Sequence, residues 1–347
     1  MSEIVRIKLK GKEIRPHKSV VSPELAARNV LTNSPWDFVD LWMKKEKQKN
    51  ALFYWNQARV FHEASKGLPT QSAPLLHYYS FMNAVKALLT AKGIKFKEYH
   101  GVASHNMRNP ASKISLTNEG IKIKQNGILP SLSLYYGELE QAKMFSLQEL
   151  LFNLPYIHRT YCLTYPSQTD MFIPIKDAEF VVNKSIKQAY FRAKLSKDFS
   201  TLQVINRLPP AFIQDTDKGV IRSSATVSFS RPGKPTAADI NNLVSLHKVL
   251  RHDLQYINGT QTLWYIKSKT SGPKRISKLP STLTLAAMHR LSELSRYKPL
   301  ELDSFLSGQK NWLLSEFIQQ APNQFFDEIA SEITGHQFLI PNVRAAT

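Results

Sequence analysis

The sequence predicts an α+β protein: a helical N-terminal domain, a β-rich middle region and a C-terminal helical bundle. Three observations carry this expectation. Apolar residues recur at helical spacing between residues 36 and 92 and again after residue 281. Alternating polar and apolar runs cluster between residues 165 and 281. An apolar share of 42% over 347 residues is enough for a sizeable core. The expected divisions are 1–164, 165–281 and 282–347.

The N-terminal elements follow from punctuation and period. Ile4 to Leu9 alternates with Lys and Arg, as an edge strand with charged gatekeepers does. Trp36, Val39 and Leu41 begin a helical stretch that runs through Lys44–Lys49, and Tyr54, Ala58 and Phe61 continue it until Gly67. Pro74 to Lys92 is the clearest helix. Ser72 is placed to cap it, Pro74 sits in the first turn, Gly93 ends it, and Leu75, Tyr79, Met82, Val85 and Leu89 form one apolar stripe. Ile121 and Ile123 alternate with Lys122 and Lys124 ahead of Asn126-Gly127, predicting a strand that turns there with both lysines on one face. Ser146 to Leu154 reads as a short helix stopped by Pro155.

In the middle region the expected strands are 189–195, 220–229 and 262–267, with a helix over 237–256 carrying Ile240, Leu243, Leu246, Leu250 and Leu254. After Ser281, Leu285, Met288, Leu291 and Leu294 mark a helix ending near Pro299. Trp312, Leu313 and Phe317 suggest a second helix before Pro322, and Phe325, Phe326, Ile329 and Ile333 a third before Gly335.

The charge balance narrows the partners. Lys plus Arg number 46 against 27 Asp plus Glu, a net charge of +19. Residues 1–164 carry +11, residues 165–281 carry +10 and residues 282–347 carry −2. Such a field concentrates polyanions, and nucleic acid is the commonest of them because each phosphate contact releases counterions. The residues expected to contact phosphate are Lys122 and Lys124 on the strand, and Lys267, Lys269, Lys274, Arg275 and Lys278 in a basic loop around Gly272-Pro273. The near-neutral C-terminal helices are candidates to dock a protein partner.

Other classes are excluded or disfavoured. No apolar run reaches the roughly 18–20 residues of a membrane span, and no signal-peptide apolar region opens the chain, so a cytoplasmic protein is expected. The single cysteine, Cys162, rules out an internal disulfide and a zinc site of several thiolates. No phosphate-binding loop, dinucleotide fingerprint or nucleophile elbow occurs, and only 13 residues are glycine, so no cofactor and no metal site are expected. Cys162 near His158 suggests a thiol and base, but the apolar context of Tyr161, Leu163 and Tyr165 suits a buried cysteine, and His247 and His252, five residues apart, do not share a helix face.

Several blocks resemble the YaaC-like proteins of bacteria: Pro74-Leu75-Leu76, Tyr78-Tyr79, Lys86-Ala87-Leu88-Leu89, His100-Gly101-Val102, the run from Ile121 to Gly127, the run from Phe145 to Leu151 with Leu154-Pro155, and Leu294 to Pro299. The resemblance spans the chain from about residue 36 onward and implies little about activity. A more distant likeness is to HEPN helical domains, whose central helix carries paired tyrosines, a basic-Ala-Leu-Leu run, a glycine and a following histidine. That likeness implies a metal-independent ribonuclease or toxin, often in antiviral defence, but no Arg precedes a His at the family's spacing of four to six residues. Were cleavage to occur here, His100 would be the acid or base, with Arg108 or Lys124 stabilising phosphate. The leading expectation is a polyanion-binding protein, with nucleic acid as ligand and antiviral defence as its setting.

Overall fold

A computed structural model describes residues 4–138, 143–231, 233–269, 273–308 and 311–341. In chain order its helices are α1 (Trp36–Lys45), α2 (Lys49–Ser65), α3 (Ala73–Ala91), α4 (Ile128–Tyr136), α5 (Leu147–Phe152) and α6 (His158–Thr164). They continue with α7 (Leu202–Ile205), α8 (Ala237–Leu250), α9 (Pro280–Tyr297), α10 (Pro299–Leu306) and α11 (Asn311–Thr334). The strands are β1 (Ile4–Arg6), β2 (Lys8–Leu9), β3 (Lys12–Glu13), β4 (Val30–Leu31), β5 (Val102–Asn106), β6 (Glu119–Ile123), β7 (Met144–Ser146) and β8 (Phe172–Asn183). Then come β9 (Gln188–Leu195), β10 (Phe212–Gln214), β11 (Val220–Ser223), β12 (Val227–Ser228), β13 (Leu254–Ile257), β14 (Leu263–Lys267) and β15 (Phe338–Leu339). The protein is thus mixed helix and strand. Its segments group into two compact units rather than three consecutive ones: residues 1–33, 171–270 and 335–347 form the first, and 34–170 with 271–334 the second.

The first unit is built on an antiparallel sheet of order β10-β11-β9-β8-β14-β13, with β1 also paired to β8 and β12 to β9. Strand β8 spans 12 residues and is irregular between Lys176 and Glu179. It pairs with β14 through Phe172–Ile175 and with β1 through Val181–Asn183. Phe180, Val182, Phe191, Ile221 and Ile266 are fully buried or nearly so, and α8 adds Leu243, Leu246 and Leu250 to the same core. The expected helix over 237–256 stops at Leu250, and Leu254–Ile257 becomes a strand paired in register with Leu263–Ile266. Leu254 fits both periods, and the aromatic and β-branched residues after it settle into the sheet.

The second unit centres on α3. Its end is a Schellman motif: Gly93 has φ +67°, its amide donates to Thr90 O at 3.0 Å, and the Ile94 amide donates to Leu89 O at 2.9 Å. The single expected stripe understates its burial, because Phe81, Ala84, Val85, Ala87, Leu88 and Leu89 are all completely covered. Helices α2, α4, α9 and α11 surround it, and a helix apolar all round is a core helix. At the C-terminal end, the two helices expected on either side of Pro322 are one. Pro322 cannot donate to the Ile318 carbonyl, a defect of about 3 kcal/mol in an isolated helix. Here Leu313, Phe317, Ile318, Phe325, Ile329 and Ile333 are buried along the whole of α11, and their burial outweighs it.

A small antiparallel sheet, β5-β6-β7, packs on α9. Its anchor is a buried ion pair between Glu119 on β6 and Arg290 on α9, whose side chains are 1% and 7% exposed. Asn106 on β5 donates to the same carboxylate at 3.3 Å. Glu119→Gln leaves the guanidinium buried without its counter-charge and should cost about 3–5 kcal/mol. Urea denaturation measures this. A double replacement, Glu119→Leu with Arg290→Met, should cost clearly less than the single variant.

Among the described residues, no helix is long and apolar enough to cross a membrane.

Candidate functional site

Two glycines bring the parts of the site together. Gly101 (φ +74°) follows His100, and Gly127 (φ +119°, ψ −172°) precedes α4. A Cβ on Gly127 would lie 2.4 Å from the Gly101 Cα, and one on Gly101 would lie 2.4 Å from Pro130 Cδ, so neither position admits a side chain. The Gly127 conformation is itself one that essentially only glycine adopts. Around this crossing the backbone is stitched: Lys124 N donates to Gly101 O at 2.8 Å, Ile128 N to Tyr99 O at 3.0 Å and Leu129 N to His100 O at 3.2 Å. Pro130 has no amide, and Ser131 N donates to Gly127 O at 3.1 Å, so the first turn of α4 offers no vacant donors.

Beside the crossing lies an open cleft of about 970 Å³. Lys95, Phe96 and Lys97 enter it from the segment after α3, Lys124 from the end of β6 and Lys143 from the start of β7. The four lysines come from three separate segments, and all four are exposed. The Ile123 amide donates to Lys143 O at 2.7 Å, which fixes that lysine beside the strand end carrying Lys124. No ion pair joins any of the four to a carboxylate among the described residues. Half-buried Phe96 stands between two of them in sequence.

Among the described residues one carboxylate lines the cleft, Glu138, and it is not a surface acid. Its side chain is wholly buried and 3.7 Å from Lys278 Nζ. It accepts from Ser133 Oγ at 2.8 Å, Leu279 N at 2.7 Å and Thr282 Oγ1 at 3.0 Å. Burial pushes its pKa up to about 7, against the opposing pull of Lys278 and these donors.

The residues expected from sequence are distributed unevenly. Lys124 lines the cleft. Lys122 is exposed on β6, where Ile121 and Ile123 turn inward as the alternation requires. Lys274 is exposed and its ammonium lies 5.5 Å from the centre of the Phe145 ring. Phe145 is in register with Ile121, on the face opposite Lys122. Arg275 is half-buried, with Nη1 3.4 Å from Ser277 Oγ. Lys269 is exposed and belongs to the first unit.

Two expectations are corrected. Lys267 and Lys278 are 1% and 4% exposed, so neither is available as a surface phosphate contact. Lys267 ends β14, which is covered by β8 and β13, and Lys278 is turned inward to the Glu138 pair. The expected continuous basic loop is therefore divided between the two units, and residues 270–272 lie outside the described residues.

Of the catalytic candidates, Arg108 stands apart from His100. Arg108 is exposed, its amide held by Asn118 Oδ1 at 2.9 Å, and no contact joins it to His100 among the described residues. His100 instead meets Tyr78, whose hydroxyl lies 2.6 Å from Nδ1, and stacks edge-on against His289. Burial raises the Tyr78 phenol, so Tyr78 keeps its proton, and the direction of this hydrogen bond follows the His100 tautomer. Burial, aided by Arg296 and Lys86 and opposed by Glu293, lowers the His100 pKa, and His289 falls to about 3. The charges around His100 come from α9 and the far end of α3, where no sequence spacing signals them. His247, by contrast, is structural, accepting the His17 amide at 3.1 Å in the core of the first unit.

A carboxyl pKa raised on folding stabilises the protein below its unfolded value and loses that contribution as pH rises to the folded value. Wild-type stability should therefore decline relative to Glu138→Gln between about pH 4.5 and 7. Parallel urea titrations of the two proteins across that range measure the difference.

The family model described as YaaC-like Protein matches residues 21–333, nearly the whole chain. No curated protein and no solved structure matches it. The chain belongs to the YaaC-like family.

Proposed function

We propose that this protein binds a polyanion, single-stranded nucleic acid, in the lysine-lined cleft of its second unit. The observation that carries the reading is the convergence of Lys95, Lys97, Lys124 and Lys143 on one cleft without an ion pair among the described residues. A net charge of +19 draws a polyanion toward such a cleft, and the cleft offers a place for its phosphates. Phe96 supplies the apolar ring against which a base stacks, and a lysine-flanked aromatic is how sequence-tolerant single-strand binders work. Lys122, Lys274 and Arg275 are additional contacts for a longer strand. The reading places the protein in the cytoplasm, and capture of nucleic acid is the activity it would bring to an antiviral defence system. A second reading, docking of a protein partner on the C-terminal helices, is favoured by the exposure of Leu300 (85%) and Trp312 (57%).

Fluorescence anisotropy of an unstructured oligonucleotide, titrated over a range of salt, tests the cleft. Each lysine in phosphate contact contributes about 0.7 to the slope of log K against log salt, so the four should give roughly −3. Replacing all four with alanine should bring the slope near zero, while Lys269→Ala leaves it unchanged. Full affinity and slope in the four-lysine variant would move the ligand away from this cleft.

A further inference from the structure

The segment from α6 to Asp170, which ends the first stretch of the second unit, carries a group of side chains outside the cleft lining. His158 and Cys162 are one helical turn apart and so share a face of α6, and Asp170 returns to them from the segment that follows. Cys162 Sγ is 3.4 Å from His158 Nε2 and 3.3 Å from Asp170 Oδ1. His158 Nε2 and Asp170 Oδ1 are 3.4 Å apart. The three potential ligand atoms therefore mark an almost equilateral triangle.

That triangle has the dimensions of one face of a tetrahedral zinc site. Zinc bonds to sulfur, imidazole nitrogen and carboxylate oxygen average about 2.1 Å, and a tetrahedron of that radius has edges of about 3.4 Å. The orientation is held by the surroundings. The His158 side chain is 6% exposed, and its ring lies between Phe152, 5.6 Å away, and a parallel Tyr161, 6.4 Å away. Asp170 is 53% exposed, so water can reach the open side of the triangle.

We infer that His158, Cys162 and Asp170 form a binding site for one zinc ion, with water at the fourth position. The donor set selects the metal class: a thiolate and an imidazole favour zinc over magnesium or calcium, which take oxygen ligands. In the metal-free arrangement the Cys162 thiol donates to Asp170. On binding, a sulfur–zinc bond forms and the thiol proton passes to solvent, so thiolate and carboxylate together neutralise the ion. The ion closes the turn after α6 and presents a zinc-bound water to solvent. Three protein ligands with an open fourth position are the arrangement of reactive rather than closed structural zinc sites.

The full chain, stripped with a chelator and re-equilibrated with zinc chloride, should retain one zinc per chain by elemental analysis. Cobalt chloride in place of zinc should produce the near-ultraviolet charge-transfer band of a cobalt–thiolate bond. Cys162→Ser should abolish that band, and His158→Gln and Asp170→Asn should each weaken zinc binding by at least about tenfold, the least that even outer partners of a zinc site cost. Circular dichroism confirms that each variant is folded. Three results would overturn the assignment: no zinc retained, a cobalt complex without the thiolate band, or zinc binding unchanged in Cys162→Ser. The first would leave the three residues as a hydrogen-bonded triad only.

Discussion

The backbone crossing of Gly101 and Gly127 is the constraint on which the cleft depends. Two chain segments approach so closely there that a single Cβ on either glycine would overlap backbone or the Pro130 ring. That approach lets the carbonyls of Tyr99, His100 and Gly101 take the amides of Ile128, Leu129 and Lys124 in succession. Every lysine of the cleft is referred to this crossing. Lys95 and Lys97 precede it in the segment running out of α3, Lys124 hangs from it, and Lys143 is held to the neighbouring strand end. Four like charges placed together repel one another, so their positions must be enforced by backbone geometry rather than by mutual attraction.

Buried charge supports the same region from beneath. Glu119 with Arg290 joins the small sheet to α9, and Glu138 with Lys278 closes the wall of the cleft. The two pairs differ in chemistry. Glu119 has a close guanidinium partner and a further donor in Asn106. Glu138 is 3.7 Å from its ammonium and wholly buried, so desolvation dominates and pushes its pKa up to about 7. Protonating Glu138 removes a buried negative charge from the cleft lining.

Local sequence logic was strongest where one element decides its own shape. Pro74, Gly93 and the apolar spacing between them marked α3, and Ser146 with Glu149 forms the capping box that starts α5. The alternation at 121–124 correctly turned Ile121 and Ile123 inward and left Lys122 and Lys124 in solvent. It failed where a partner decides. Lys267 and Lys278 look like any loop lysines until a sheet or a buried carboxylate is placed against them. Strand β8 and helix α4 are not legible in the sequence, the first because Lys176, Asp177 and Glu179 interrupt its apolar pattern and the second because Gly127 and Pro130 read as breakers. Of the site itself only Lys124 was legible. Lys95, Lys97 and Lys143 carry no motif, and only the fold brings them to one cleft.

The central claim is that ligand phosphate meets this cleft and not the basic surface of the first unit. Photo-cross-linking of a single-stranded oligonucleotide to the full chain, followed by peptide mass spectrometry, addresses that directly. The account predicts adducts on the peptides containing Phe96 and Lys124, lost under competition by unlabelled strand. Adducts confined to residues 171–269, with the cleft peptides unmodified, would contradict it.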